Sequence, residues 1–519
     1  MSGQGSALDG TDSPGPGADR AAAAGTVPKR TAARLATRLG LRRSKIDAVP
    51  APAWWRPGFA LVGLGSSAAG LAGTLKPDQW GLTGGFIIAS GLVLLPSVLL
   101  SLRRPVEKIL SDHFLLLSGV FIVYFVAGAL LLPFGPQDAV DYALSYYWLG
   151  APQALRATAV NCIGMGLVLL SSALLRPRWI AQVSRRATRI GGTLSDGRVI
   201  AALLVLGGPA AFFVFRLDLG LSTGTLIPGL VRMLAQLLNV AIVVAASRSG
   251  RHRIRWMTLA IALALGQAAL GLVLLNKTVV LLPFAALLAG LALRLGVRRV
   301  LLPGTAALLA LFLLLGNAVN IARNQFGIDR QVRNWGERVV FIWDAVTSPE
   351  SRKDDRYYAW SRFCYLPAQG AALDLYDLGQ GGVDFAQTAW VFVPRFLFSD
   401  KPILSSGDAF EFKVTGVEGS ASAPGVFADG YFNWGWWGVL VVGLSLGCML
   451  ACTSGFARAV FRSRALIWLP VALSGNIMAF RIDGTFLSDY AGPFITFAYV
   501  TAAAWFLAGN RKRQGTRLP

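Results

Sequence analysis

The sequence predicts an all-α polytopic membrane protein, with about twelve transmembrane helices and one large extracytoplasmic loop. Three observations carry that expectation. Of 519 residues, 54% are apolar and only 15% charged, far from the composition of a soluble domain of this size. Runs long enough to cross a hydrocarbon core of about 30 Å, which takes about 20 apolar residues, recur near 58–75, 80–101, 112–134, 157–175, 199–215, 226–246, 257–275, 278–296, 300–319, 435–454, 465–480 and 488–508. Lys and Arg gather at every second connection, the alternation expected when short basic loops stay cytoplasmic.

In chain order, residues 1–56 read as a cytoplasmic tail. Residues 1–28, rich in Gly, Ala, Ser, Pro and Asp without periodicity, are expected to be disordered, and no cleaved export signal is read there. From Lys29 to Ile46, Arg30, Arg34, Arg38 and Arg42 recur every four residues with Leu35, Leu39 and Leu41 between them. That pattern suits a helix on the anionic inner leaflet and equally a solvated basic tail. Residues 57–319 hold nine spans, 320–432 the large extracytoplasmic loop, 433–508 three further spans, and 509–519 a basic cytoplasmic tail. The basic clusters at Arg30 to Lys45, Arg103-Arg104, Arg176 to Arg198, Arg248 to Arg255, Arg294 to Arg299, Arg458 to Arg464 and Arg511 to Arg513 place both termini in the cytoplasm and the protein in the cytoplasmic membrane.

The net charge of +22 would suggest nucleic acid in a soluble protein, but its distribution excludes that class. Residues 320–432 carry 11 Lys and Arg against 14 Asp and Glu, a net of −3, which leaves +25 on the rest of the chain. The excess is the orientation signal and its contact with anionic membrane lipid. Of four cysteines only Cys364 falls in an outward loop, so no disulfide framework is expected outside. Cys448 and Cys452 sit one helical turn apart in an apolar run and read as small packing residues.

Cations on the outward side run against the orientation rule. Arg216, Arg232, Lys277, Arg323 and Arg481 stand at or near five separate helix ends. Snorkelling accounts for any one of them. Together they could form a cationic basin for an anionic lipid headgroup, and Arg suits phosphate because its planar fork donates two charge-assisted hydrogen bonds at once. In the long loop Arg323, Arg330, Arg333, Arg338, Arg356 and Arg362 precede Phe385 to Phe398, a stretch too short to cross. It reads as an interfacial or re-entrant segment placing Arg395 where water meets lipid, or as a buried helix capping the spans. Tyr431, Phe432, Trp434, Trp436 and Trp437 open the tenth span as a headgroup-level aromatic belt or as sugar-stacking platforms.

Pro394-Arg395, then Asp400-Lys401-Pro402, then Asp429 followed by Tyr431, Asn433, Gly435 and Gly438 resemble the oligosaccharide repeat-unit polymerase family (O-antigen polymerase, Wzy type). Ser361-Arg362 and Asn276-Lys277-Thr278 are weaker signatures of the same group, and Asp429 stands where that family usually has Glu. The resemblance covers about 355–440 and implies joining of polyprenyl-pyrophosphate-linked oligosaccharides, with membrane lipids as surroundings and a chain-length regulator as a possible partner. Such chemistry needs fixed cations for the leaving lipid pyrophosphate. Arg395 and Lys401 are the first candidates, with Lys277, Arg323, Arg362 and Arg481 around them and Tyr431 and Asn433 for the sugars.

A base for the acceptor hydroxyl is also required. His113 and His252, the only histidines, fall on the cytoplasmic side, which leaves Asp400 and Asp429 first, then Asp384, Asp408 and Glu411. No metal, cofactor or nucleotide site is expected, since no outward His or Cys cluster and no phosphate-loop motif is present. The rival classes are a lipid-linked glycan ligase or other membrane glycosyltransferase, and a polysaccharide transporter or flippase with broken helices at mid-membrane.

Overall fold

The computed structural model describes residues 104–174, 178–191, 196–218, 229–248, 252–274, 276–297, 299–300, 302–312, 364–393, 406–416 and 422–502, with isolated positions in 91–99 and 340–344 and at 398. Among these the protein is helical, with no strand. The principal helices are α1 (His113–Phe121), α2 (Gln137–Ser145), α3 (Ala151–Leu174), α4 (Arg178–Gly191), α5 (Asp196–Asp218), α6 (Gly229–Ala235), α7 (Leu237–Ala246), α8 (Arg253–Val273), α9 (Lys277–Leu295), α10 (Leu366–Asp377), α11 (Ser406–Thr415), α12 (Val426–Ser463) and α13 (Leu469–Phe480). Among the described residues, four segments are long and apolar enough to cross a membrane: Ala151–Leu174, Gly197–Leu217, Arg253–Val273 and Val426–Ser463.

The helices share two principal apolar cores. The first joins α1, α3, α10, α12 and the end of α13 around Phe121, Phe125, Met165, Phe427, Phe432 and Leu446. Its closest seam is between α3 and α12. Gly443 lies against Leu167, where an added Cβ would stand 2.7 Å from the Leu167 Cβ, and Gly447 lies against Val168 and Ser171. Small residues let two backbones approach, which is how helices associate where lipid removes the hydrophobic drive. The second core joins α5, α7, α8 and α9 through Val199, Ile200, Leu203, Val240 to Ala246, Ala260, Ala264 and Ala286.

Two segments differ from the sequence expectation. The basic stretch from Arg176 to Arg198, read as a loop, contains α4, an amphipathic helix that buries Ile180, Ser184, Ala187 and Thr188. It packs beside α12, and the Trp468 indole donates a hydrogen bond to the Ala187 carbonyl (2.9 Å). The stretch 320–432, read as one polar loop, contains α10, whose residues Leu366 to Leu373 are all buried. An Asn161–Gln369 amide pair fixes α10 on α3, donating both ways at 2.7 and 3.1 Å. A polar loop composition therefore conceals a helix that contributes to the core.

Candidate functional site

The resemblance-bearing stretch Asp429 to Gly438 is a break in α12. Trp434 (φ −141°, ψ 21°) and Gly435 (φ 57°, ψ −141°) leave helical geometry. Gly435 needs glycine because its φ is left-handed and because a Cβ there would meet the Tyr376 ring at 2.8 Å. The short limb 426–433 then lies back against the long limb 436–463, so that a Cβ on Gly438 would overlap the Gly430 carbonyl oxygen. Gly164 of α3 faces both Phe427 and Gly443, which sets the foot of the short limb about 12 Å from the break at 1.5 Å per helical residue.

Asp429 and Asn433 hold this re-entrant hairpin. The Asp429 carboxylate is fully buried; Oδ2 accepts the Phe486 N–H (2.8 Å) and Oδ1 accepts from the Asn433 amide (3.3 Å). Asn433 also donates to the Asp429 carbonyl (2.9 Å) and accepts the Asp384 N–H (3.1 Å), which ties the hairpin to the 3-10 helix Asp384–Phe392. That 3-10 helix covers the first part of the stretch 385–398, read from the sequence as an interfacial or re-entrant segment or as a buried capping helix.

Tyr431, itself buried, belongs to a second group whose charged members are about one third exposed. Its hydroxyl accepts from Arg156 Nη2 (2.8 Å) and donates to Asp377 Oδ1 (3.1 Å). Arg156 pairs with Asp377 and, at 3.9 Å, with Asp374, while its guanidinium lies 5.6 Å from the Tyr431 ring. Tyr376 and Trp436 meet that ring edge-on, each at 5.3 Å. One cation thus faces two carboxylates, so this group carries net negative charge.

A third group surrounds the turn after α13. Val426 N–H donates to the Ile482 carbonyl (3.0 Å), which docks the turn at the foot of the short limb. Arg481 Nη2 pairs with Asp489 Oδ1 (2.8 Å), and Asp489 Oδ2 accepts the Thr485 N–H (2.9 Å). Asp483 Oδ2 accepts from the Tyr365 hydroxyl (3.1 Å). Its Oδ1, and the Tyr490 hydroxyl, are buried with no hydrogen-bond partner among the described residues. Burial holds the Asp483 carboxyl above the usual carboxylate range, against the opposing pull of Arg481. Two π-helical turns, Ile122–Ala127 and Leu487–Ala491, carry Tyr124 and Tyr490 into this neighbourhood, and the Tyr124 ring packs edge-on against Tyr365 (5.2 Å). Such turns are rare and concentrate at functional sites.

The structure therefore connects Asp429, Asn433, Tyr431 and Arg481 through the hairpin. Lys277 begins α9, a helix of the second core. Arg323, Arg362, Arg395, Asp400 and Lys401 lie outside the described residues. Glu411 is buried and accepts from the Tyr146 hydroxyl (2.8 Å), whereas Asp408 is exposed. His113 is buried between α12 and α13, with Nδ1 at 2.8 Å from Thr453 Oγ1. The Asp374/Asp377 pair, read from the sequence as ion-paired or surface acids among Arg and Tyr residues, is ion-paired to Arg156; Arg156, Tyr365, Asp483 and Asp489 are not singled out by the sequence. A signal existed for Asp483 and Asp489, two acids within eight residues of Arg481 beside an apolar span. No protein-family model, no curated protein and no solved structure matches the chain.

Proposed function

We propose that this protein polymerises polyprenyl-pyrophosphate-linked oligosaccharide repeat units on the outer face of the cytoplasmic membrane, as a twelve-span protein with cytoplasmic termini and residues 320–432 outside. In this reaction an acceptor sugar hydroxyl attacks the anomeric carbon of the glycan on the second lipid. The new glycosidic C–O bond forms as the anomeric C–O bond to the pyrophosphate breaks. The pyrophosphate leaves with the electron pair, and the hydroxyl proton passes to a carboxylate.

The observation that carries the reading is the fold of Asp429 to Gly438. The stretch with the family resemblance forms a re-entrant hairpin tied at its foot to the charged turn of Arg481. A recessed polar site suits glycosyl transfer because it keeps competing water from the anomeric carbon. In this reading Arg395, Lys401 and Arg362, with Lys277, Arg323 and Arg481, balance the charge developing on the pyrophosphate. Asp400 and Asp429 are the sequence candidates for the proton acceptor.

The broken helix itself favours a second reading, since discontinuous helices line the substrate sites of transporters. Glycan length in cells lacking the protein separates the two. Loss of a polymerase leaves single repeat units on the surface, loss of a flippase leaves none, and unchanged long chains would remove both. With purified protein and a lipid-linked repeat unit, elongation should persist in excess chelator. Its loss on chelation, restored by magnesium or manganese, would replace the cationic mechanism with a metal-dependent transferase.

A further inference from the structure

We infer that Asp483, in the turn after α13, is the general base that takes the proton from the acceptor sugar hydroxyl; this rests on the polymerase reading above. Asp429 already spends both carboxylate oxygens on Phe486 and Asn433. Asp483 has the complementary arrangement. Tyr365 holds Oδ2, which fixes the carboxylate plane, and leaves Oδ1 with no hydrogen-bond partner among the described residues.

A buried acceptor oxygen left unpaired costs about 1–3 kcal/mol, so its persistence marks a position that a ligand completes. The Tyr490 hydroxyl, unpartnered in the same neighbourhood, supplies the other half of the pattern. An alcohol needs one acceptor for its proton and one donor to its oxygen, and Asp483 Oδ1 with Tyr490 offers one of each. The groups facing Asp483 are Arg481 and Asp489 from its own turn and helix, Tyr365 from the segment leading into α10, and Tyr124 and Tyr490 from the two π-helical turns. Half-exposed Arg481 borders the carboxylate and places a cation where the leaving pyrophosphate would need one. Burial raises the proton affinity of Asp483 toward the working pH, as a base requires. In the step, the acceptor O–H bond breaks as the O–C bond forms, and Oδ1 receives the proton while the pyrophosphate departs with its electron pair.

The test uses the full chain in nanodiscs with a polyprenyl-pyrophosphate repeat unit, and reads elongation against pH. Asp483→Asn should lower the elongation rate by about 10²-fold or more. Tyr365→Phe, which removes a hydrogen bond that favours the ionised carboxylate, should leave the protein monodisperse and move the acid limb of the profile to higher pH. Full elongation by Asp483→Asn would overturn the assignment and leave the polymerase reading standing. If Asp483→Asn fails to fold, the Tyr365→Phe profile decides, and an unmoved acid limb overturns it. A wild-type protein that binds the unit and never elongates it overturns both. Unchanged kinetics in both variants would mean that an ordered water bridges Asp483 and Tyr490, a structural role only.

Discussion

The two principal helical cores differ in what their spans bury. Within the first, 78% of the apolar window of α3 and 61% of that of α12 are buried against protein. Within the second, the windows of 197–217 and α8 are buried to only 28% and 22%. In α5 and α8, Val205, Leu206, Phe212 and Leu265 are each exposed over more than half of their surface, as befits faces turned to lipid acyl chains. The first core instead buries polar side chains: Asp429, Asn433, Asn161 and Gln369. Polar groups are costly inside a membrane protein and cluster where it acts, which is the reason the proposed reaction is located in the first core.

The largest effect is expected at the hairpin. Gly438→Ala places a methyl group on the Gly430 carbonyl, a backbone atom that cannot rotate away. The variant should lose about 4 kcal/mol or more, enough to prevent a monodisperse preparation. A stable Gly438→Ala protein with normal thermal unfolding would show that the two limbs do not pack as described.

Arg156→Ala comes next. It leaves Asp374 and Asp377 facing each other without their shared cation and removes a donor from the Tyr431 hydroxyl. A charge-assisted hydrogen bond contributes about 2 kcal/mol, and the pair's exposure keeps the expected loss near that size. Asp374→Asn in the same background should recover part of it. No recovery would mean that repulsion between the two carboxylates plays no part.

How much of this was legible in the sequence differs between the cores for a physical reason. Helices set against lipid or wholly inside the second core are apolar on every side, so the exposed faces of α5 and α8 and the buried α7 alike fall on runs that hydropathy marks directly. In the first core the useful signals were the glycines and aromatics of Asp429 to Gly438, which pointed to a special segment without revealing that it doubles back. The α10 helix was hidden because Asp374 and Asp377, with Gln380 just beyond it, give its end the composition of a loop, while its buried part is only eight residues long. Arg481, one of the five cations that the sequence places at helix ends, pairs with Asp489 in a turn docked at the foot of the hairpin, a contact made by residues more than 50 positions from Val426 and invisible to any local pattern.

A smaller effect should appear in the pH dependence of stability. Because the folded Asp483 carboxyl has a raised pKa, the folded chain binds that proton more tightly than the unfolded chain. Stability is therefore fully present below the ordinary carboxylate value and falls as pH rises from there to the raised folded value, after which it is level. Asp483→Asn carries no such titration, so its thermal midpoint should change less with pH over that window than the wild type's. Equal slopes would show that Asp483 ionises as freely as a solvated acid.

The smallest effect is expected on the lipid-facing side, where its smallness is the content of the prediction. Leu265, on α8, is 55% exposed, so shortening it opens no cavity in protein and removes contacts that lipid or detergent can replace. Leu265→Ala should change stability by no more than about 0.5 kcal/mol and leave elongation unaltered. Leu446→Ala on α12, whose side chain is fully buried in the first core, should cost about 2–5 kcal/mol for the same chemical change. Measured together in one detergent, the pair isolates surroundings from side-chain identity. If Leu265→Ala proves as damaging as Leu446→Ala, the exposed face of α8 is covered by protein, and the division into a working core and a lipid-facing support fails.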